Sequence, residues 1–359
     1  MTRMSTLEVR KDDISRMRIA ERDAPALKDG EILVKVDRFA LTANNITYGV
    51  VGEKIGYWKF FPAEDGWGVV PVWGFADVVQ SQCGDVPVGD RLYGYFPMGT
   101  HLVMKPAKVT EMRLVDGAEH RAGLPPVYNA YARTKAEAHY DPAMDNERML
   151  LFPLYATSFC IYDFLSDNHW FGAKQIIIAS ASSKTAIGLA MALADDDKAP
   201  DLVALTSPGN LGTVSKLRLY SSVHAYNDIA SIDAGVPSVI VDMSGNGKML
   251  SDLHHHLGEN LKFCSNVGVT HYEDNEMGPH FNRDKSAMFF APGHIQKRAA
   301  DWGPGVFEKK AFMFWRDASI KSRDWLKLET TKGVAGLEGA YKKILKGESS
   351  PDRGVIVEL

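Results

Sequence analysis

The sequence predicts an α/β protein, with a small, largely antiparallel β-barrel followed by a doubly wound parallel sheet carrying helices. Three observations support this. Short β-rich segments punctuated by Gly and Pro fill the first third of the chain. From about residue 150 short apolar strands alternate with helical segments. The 359 residues amount to about two domains.

In chain order, Glu31–Leu41 is β-rich and mostly alternating, and the polar run Thr42–Tyr48 follows it. Trp73–Gln80, Leu92–Phe96 and Thr100–Met104 read as further strands, with turn chemistry at Gly84–Arg91. Met149–Leu165 suits a helix, with Pro153 near its start. Then come strand Gln175–Ala179, helix Lys184–Ala194, strand Leu202–Thr206, helix Gly212–Tyr220, strand Ser238–Asp242 and helix Lys248–Leu257. That alternation describes βαβ units around a parallel sheet. Phe312–Trp315, helix Gly333–Lys346 and strand Gly354–Glu358 outrun that sheet, so the last strand is expected back in the first domain.

Composition narrows the function. There are 41 basic and 45 acidic residues, a formal charge of -4, which provides no basic excess for nucleic acid. Cys83, Cys160 and Cys264 are widely spaced and odd in number, which suits neither a disulfide framework nor a four-thiolate zinc site and fits a reducing compartment. The first 13 residues carry charges without an apolar core, and no window reaches about 18 uninterrupted apolar residues. The expectation is a soluble cytoplasmic protein that engages no membrane.

Three segments carry a family likeness: Gly30-Glu-Ile-Leu-Val-Lys-Val36, Val88-Gly-Asp-Arg-Leu92, and Gly339–Gly347 followed by Gly354-Val-Ile-Val357. On their order and spacing the chain resembles the medium-chain dehydrogenase/reductase superfamily. It is most similar to a branch of unknown function near the zinc-free quinone and enoyl reductases. The resemblance implies a GroES-like catalytic barrel over residues 1–150 completed by 292–359, a Rossmann domain binding NADP(H) over 151–291, and a homodimer.

The turn from Ala179 to Gly188 stands where a dinucleotide-binding unit presents backbone N–H groups and a helix N-terminus to the pyrophosphate. Ser180, Ser182, Ser183, Lys184 and Thr185 replace the usual glycines, offering hydroxyls and an ammonium to phosphate. The alternative is a plain Ser/Thr cap on an ordinary helix. Ser183-Lys184-Thr185 also resembles a P-loop, but Ile178 and Ser183 stand where that motif needs glycine. The next strand ends in Thr206-Ser207-Pro208-Gly209-Asn210, with no acid before Asp228 to hold a ribose 2′-hydroxyl. This neutral end favours NADP(H), with Thr206, Ser207 and Asn210 as contacts, unless it is only a turn. Lys216 and Arg218 are more distant sources of charge.

The loop Asp242–Gly247, including Ser244, lies at a carboxyl end of the sheet, where open α/β folds bind ligands. Asn266–His271 resembles the family strand that passes the nicotinamide. That resemblance implies Thr270 near the ring and His271 as a proton donor, while a buried structural histidine is an equal reading. His254–His256 fan out on a helix and suggest no metal site. Where zinc-dependent relatives carry a Gly-His-Glu element, this chain has Pro71–Ala76, so no metal is expected. Without a Lewis acid, hydride addition to a conjugated C=C or a quinone is favoured over alcohol oxidation.

By the same resemblance a polar residue after the first barrel strands lies over the nicotinamide, and in some enoyl reductases a tyrosine there donates the proton. Thr42, Asn45, Thr47, Tyr48 and Tyr57 are available; Asn45 stands where relatives often have aspartate, and Tyr48 and Tyr57 are either donors or packing aromatics. Tyr57–Phe61, Trp67–Trp73 and Met288–His294 either line an apolar pocket or fill the core. Residues 111–147 either cap the cleft or form a surface excursion. The expected function is a zinc-independent NADPH-dependent oxidoreductase acting on a small, apolar, carbonyl-conjugated substrate. A sensor that binds the dinucleotide without turnover is the rival.

Overall fold

The computed structural model describes residues 2–267 and 278–359. The chain begins with β1 (Arg3–Arg10), β2 (Met17–Asp23) and β3 (Ile32–Leu41), then the short helices α1 (Ala43–Val50) and α2 (Gly52–Ile55). There follow β4 (Trp67–Gly68), β5 (Pro71–Ser81), β6 (Arg91–Pro97), β7 (His101–Met104), β8 (Pro106–Ala107), β9 (Arg113–Asp116) and β10 (Ala130–Arg133). Helix α3 (Asp145–Asp167) leads to β11 (Gln175–Ala179), α4 (Lys184–Ala194), β12 (Asp201–Thr206), α5 (Leu211–Lys216), β13 (Ser222–Ala225), β14 (Ser238–Asp242), α6 (Gly247–Leu257), β15 (Leu261–Asn266) and β16 (Ser286–Met288). The chain closes with α7 (Ala291–Trp302), α8 (Val306–Ser322), β17 (Lys327–Lys332), α9 (Gly333–Leu345) and β18 (Arg353–Glu358).

Two compact units result: Met1–Leu150 with Lys327–Leu359, and Leu151–Leu326. The boundary expected at 291 therefore moves. Residues 292–326 pack with the second unit, because α7 and α8 find their partners on α3: Asp163 takes His294 and Arg298 of α7, the Cys160 thiol donates to the Ala291 carbonyl, and the Tyr155 hydroxyl shares a hydrogen bond with that of Ser322 on α8.

In the first unit β3 is the organising strand. It pairs antiparallel with β5 along its length, with β7 over Ile32–Lys35 and with β18 over Arg38–Leu41. Exchanging partners near a bulge between Val36 and Arg38 curls the sheet. Leu7, Val34, Val36, Phe39, Val72, Leu92 and Phe96 fill its interior, and Leu337 and Tyr341 of α9 join them. Each such burial contributes roughly 1.5–3 kcal/mol. The segment Thr42–Tyr48, too polar to suggest an element, forms most of α1, started by Thr42 and Asn45 as a capping box.

In the second unit six parallel strands run in the order β13-β12-β11-β14-β15-β16. Strand order reverses between β11 and β14, which opens a crevice beyond their carboxyl ends. All five residues of β11 are buried, as a central parallel strand requires. Helix α5 stops at Lys216, short of the expected Tyr220, and Arg218 just beyond it has a φ of 54°. Among the described residues α3 has the length and apolarity to cross a membrane, yet 56% of that stretch is buried in the fold.

Candidate functional site

In the second unit the β11–α4 turn takes the glycine-like path without glycines. Ser180 adopts a φ of 58°. Burial raises the Tyr226 phenol beside this turn above its ordinary range. Ser182, 8% exposed, accepts from Asn210 Nδ2 at 3.0 Å and from Thr206 Oγ1 at 3.4 Å. Three expected contacts from two strand ends thus converge on one hydroxyl. Ser183 is spent differently: its Oγ caps α4 by accepting from the Ala186 N–H at 3.3 Å. Lys184 is the first residue of the 11-residue α4, and the Thr185 carbonyl accepts from Ser158 Oγ at 2.7 Å. Ser207 is half-buried at the end of β12.

Beyond β14, Asp242 is 1% exposed and binds the Ser244 N–H, the Ser244 hydroxyl and the Gly245 N–H at 2.8, 2.6 and 2.9 Å. Burial raises its carboxyl above the ordinary range despite these bonds. Ser244 is therefore committed to the loop's own architecture. The turn as a whole presents the N-terminus of α4, a lysine at its first position, and a neutral hydroxyl and amide cluster at the end of β12. That donor set fits the pyrophosphate and ribose end of a dinucleotide. Thr270 and His271 lie outside the described residues. Among the described residues no group of three or more His, Cys, Asp or Glu could hold a metal ion.

In the first unit the expected tyrosines belong to a cluster of phenols. Tyr48 on α1 and Tyr57 just after α2 have ring centroids 4.7 Å apart. Tyr95 from β6 meets the Tyr48 ring at 5.7 Å, and Trp73 from β5 lies 5.2 Å from Tyr95. Tyr128, from the excursion between β9 and β10, stacks on Tyr95 at 4.6 Å and brings its hydroxyl to 3.2 Å from that of Tyr57. Burial drives the phenols of Tyr48, Tyr57, Tyr95 and Tyr128 upward, so each is a neutral O–H at ordinary pH. The buried hydroxyl of Tyr95 and the indole N–H of Trp73 have no hydrogen-bond partner among the described residues.

Asn45 does something else. Its Oδ1 accepts from the Thr42 N–H at 2.7 Å and its Nδ2 donates to the Pro71 carbonyl at 2.8 Å, so a side chain 3% exposed pins α1 to β5. All four aromatics of the Tyr57–Phe61 run are buried, and Trp58 occupies a slot between Gly52 and Gly68, where an added Cβ would come within 2.2 and 2.5 Å of the indole. Met288–His294 belongs to the second unit, and His294 there is held by Asp163 at 2.5 Å.

Tyr226, Tyr95 and Tyr128 carry no signal in the sequence that marks them out. Tyr226 follows β13, a four-residue strand with no alternation strong enough to announce it, and Tyr128 reaches Tyr57 across 71 residues.

A family model described as "Protein of unknown function (DUF2855)" matches residues 39–350. No curated protein matches the sequence. Among solved structures, TarJ from S. aureus in complex with NADPH is similar at a TM-score of 0.62 and 10% identity, over 99% of each chain. CurA from Vibrio vulnificus in complex with NADPH gives 0.61 and 11%, again over 99% of each chain. A mutant enoyl thioester reductase from Candida tropicalis gives 0.60 and 12%, over 100% of each chain. At such identities the likeness is one of fold alone, a GroES-like barrel and a Rossmann-type parallel sheet.

Proposed function

We propose, from the premise that the chain belongs to the DUF2855 family, that it is an NADPH-dependent, zinc-independent oxidoreductase that reduces an activated C=C or a quinone. The observation that carries this reading is the convergence of Ser182, Thr206 and Asn210 at the mouth of the β11–α4 turn. Two structural neighbours are complexes with NADPH, and a third is a mutant enoyl thioester reductase, which supports the same choice.

NADPH, when bound, supplies the hydride. The α4 N-terminus and Lys184 would hold its pyrophosphate. The acid-free end of β12 admits a 2′-phosphate that a carboxylate would repel. In the barrel the neutral phenols supply hydrogen-bond donors to the oxygen of a conjugated carbonyl as negative charge develops there. A proton delivered from that cluster completes the reduction.

Titrating NADPH fluorescence and then following its consumption with a panel of enones and quinones tests the reading. NADPH is expected to bind at least about tenfold more tightly than NADH, a gap of about 1.4 kcal/mol. Tight binding without consumption would favour the sensor reading, for which the glycine-poor turn and the capping role of Ser183 speak. With an acceptor in hand, either Tyr48→Phe or Tyr57→Phe should lower turnover by about 10²- to 10⁴-fold at unchanged NADPH affinity, the other being silent.

A further inference from the structure

One ring of the phenol cluster comes from a segment that belongs to none of the strands beneath it. Trp73 and Tyr95 lie directly opposite each other on β5 and β6. Tyr128, from the excursion between β9 and β10, stacks on Tyr95 at 4.6 Å with 29° between the planes. It also meets the rings of Tyr48, Tyr57, Phe60 and Trp73. Its hydroxyl is 3.2 Å from that of Tyr57, and either can donate. The Tyr128 residue is half-buried, and its hydroxyl is turned inward.

Residues 122–128 form a flap whose two ends are fixed close together, as in a compact surface loop. At one end Arg121, 1% exposed, pairs with Asp116 at 3.2 Å and donates to the Tyr131 hydroxyl at 2.9 Å. At the other, Asn129 donates to the Arg121 carbonyl at 3.3 Å, and its own carbonyl accepts the Asp116 N–H at 2.8 Å. Among the described residues the flap's backbone donors bond locally: the Ala122 N–H to Glu119, that of Leu124 to Arg121 and that of Tyr128 to Pro125. None of these bonds reaches a barrel strand. Gly123 takes a left-handed φ of 78°, and Val127 is 55% exposed. The flap's hold on the barrel comes from Leu124, beside Gly56, and from the Tyr128 ring. A segment held by so few contacts opens locally at far smaller cost than the whole fold.

We propose that the barrel holds a binding site for a monocyclic phenol, that the Tyr128 side chain occupies this site as a built-in stand-in, and that residues 122–128 lift to exchange it for the free ligand. The stand-in itself defines what fits: a flat six-membered ring stacked on Tyr95, with one hydroxyl bonded to that of Tyr57. The incoming phenol takes over both contacts. The Tyr95 hydroxyl and the Trp73 indole N–H, buried on the rings that Tyr128 covers, lack partners among the described residues. Leaving them so is costly, and a second oxygen on the ligand gives them an acceptor. The exchange makes and breaks no covalent bond and uses neither NADPH nor the second unit. It therefore stands or falls apart from the reductase reading.

The test uses the full chain without cofactor and follows binding of para-fluorophenol by ¹⁹F NMR, with fluorobenzene as the same ring lacking the oxygen. While the stand-in is seated the site is closed, so the apparent affinity is reduced by the fraction of molecules that are open. Tyr128→Ala removes the competitor and should tighten para-fluorophenol by at least about tenfold. In that variant para-fluorophenol should bind about tenfold more tightly than fluorobenzene, the worth of one hydrogen bond. Adding Tyr57→Phe should abolish the preference. Equal affinity of the native chain and Tyr128→Ala for para-fluorophenol overturns the proposal, and so does a preference that survives Tyr57→Phe. Should Tyr128→Ala fail to fold, hydrogen exchange on the native chain decides. Millimolar para-fluorophenol is expected to speed exchange of the Leu124 and Tyr128 amides by about tenfold, because it holds the flap open, and to leave the Asp116 amide unchanged. Flap amides that are slowed or unmoved overturn the proposal.

Discussion

Ser180 holds a backbone conformation that glycine takes without strain, and it does so at the turn where glycine is expected. A β-carbon in that region costs roughly 1–2 kcal/mol. Ser180→Gly relieves the strain and loses the hydroxyl. Thermal denaturation should therefore register a change of less than about 1 kcal/mol, with NADPH affinity equal or higher. A tenfold or greater loss of affinity would identify the Ser180 hydroxyl as a ligand instead. At this scale legibility followed sequence distance. The proximity of Ser182, Thr206 and Asn210 was readable because strand ends of a parallel sheet sit side by side, whereas Asn45 was named for its place in the sequence and its amide pins α1 to β5. Tyr128 had no local signal at all, because its role is defined only by what it touches.

Among the elements, the single turn carrying Tyr57 is set by Trp58, whose indole fills the space that Gly52 and Gly68 leave. Gly68→Ala puts a methyl carbon 2.5 Å from that ring, so the indole must shift. The expected cost is about 1–3 kcal/mol of stability by overpacking, with a loss of turnover that exceeds any change in NADPH affinity. Helix α6 supplies a second case. His254 is 3% exposed, accepts the Asn282 N–H at 3.0 Å and stacks on Phe281 at 4.6 Å. Burial, aided by the charge of Lys285, pushes its pKa down from 6.5 to about 4. A histidine depressed in the folded state favours the neutral form there, so its contribution is complete above pH 6.5 and drains away as pH falls toward 4. Denaturation midpoints should fall through that window, and His254→Gln should flatten the dependence by removing a total loss on the order of 3 kcal/mol across it. An unchanged slope would place the acid sensitivity elsewhere. The helices α4 and α6 were readable from apolar periodicity, but α1 was not, since its first turn is polar and its stability comes from a cap and from the Asn45–Pro71 bond.

For the whole molecule, the division into barrel and parallel sheet followed from a change in period near residue 150, and the return of the last strand from the β-rich run at Gly354–Glu358. The boundary at the far end was misplaced by some 35 residues on the helix-length scale of α7 and α8. Its determinants are ion pairs and a thiol contact spanning 131 to 135 residues, which no local pattern encodes. Deleting residues 353–359 should unfold the barrel while sparing the second unit. It strips β3 of its partner over Arg38–Leu41 and leaves an open edge. Limited proteolysis should then yield a resistant fragment close to Leu151–Leu326.

That pairing of β18 with β3 has a consequence for synthesis. The second unit is one uninterrupted stretch and has all its strands as soon as residue 326 has left the ribosome. The first unit begins earlier and finishes later: β3 emerges some three hundred residues before the strand that closes it. For most of translation its apolar face and open edge are exposed to chaperones and to neighbouring nascent chains. The barrel that carries the phenols is thus the part whose yield should depend on elongation rate and chaperone supply.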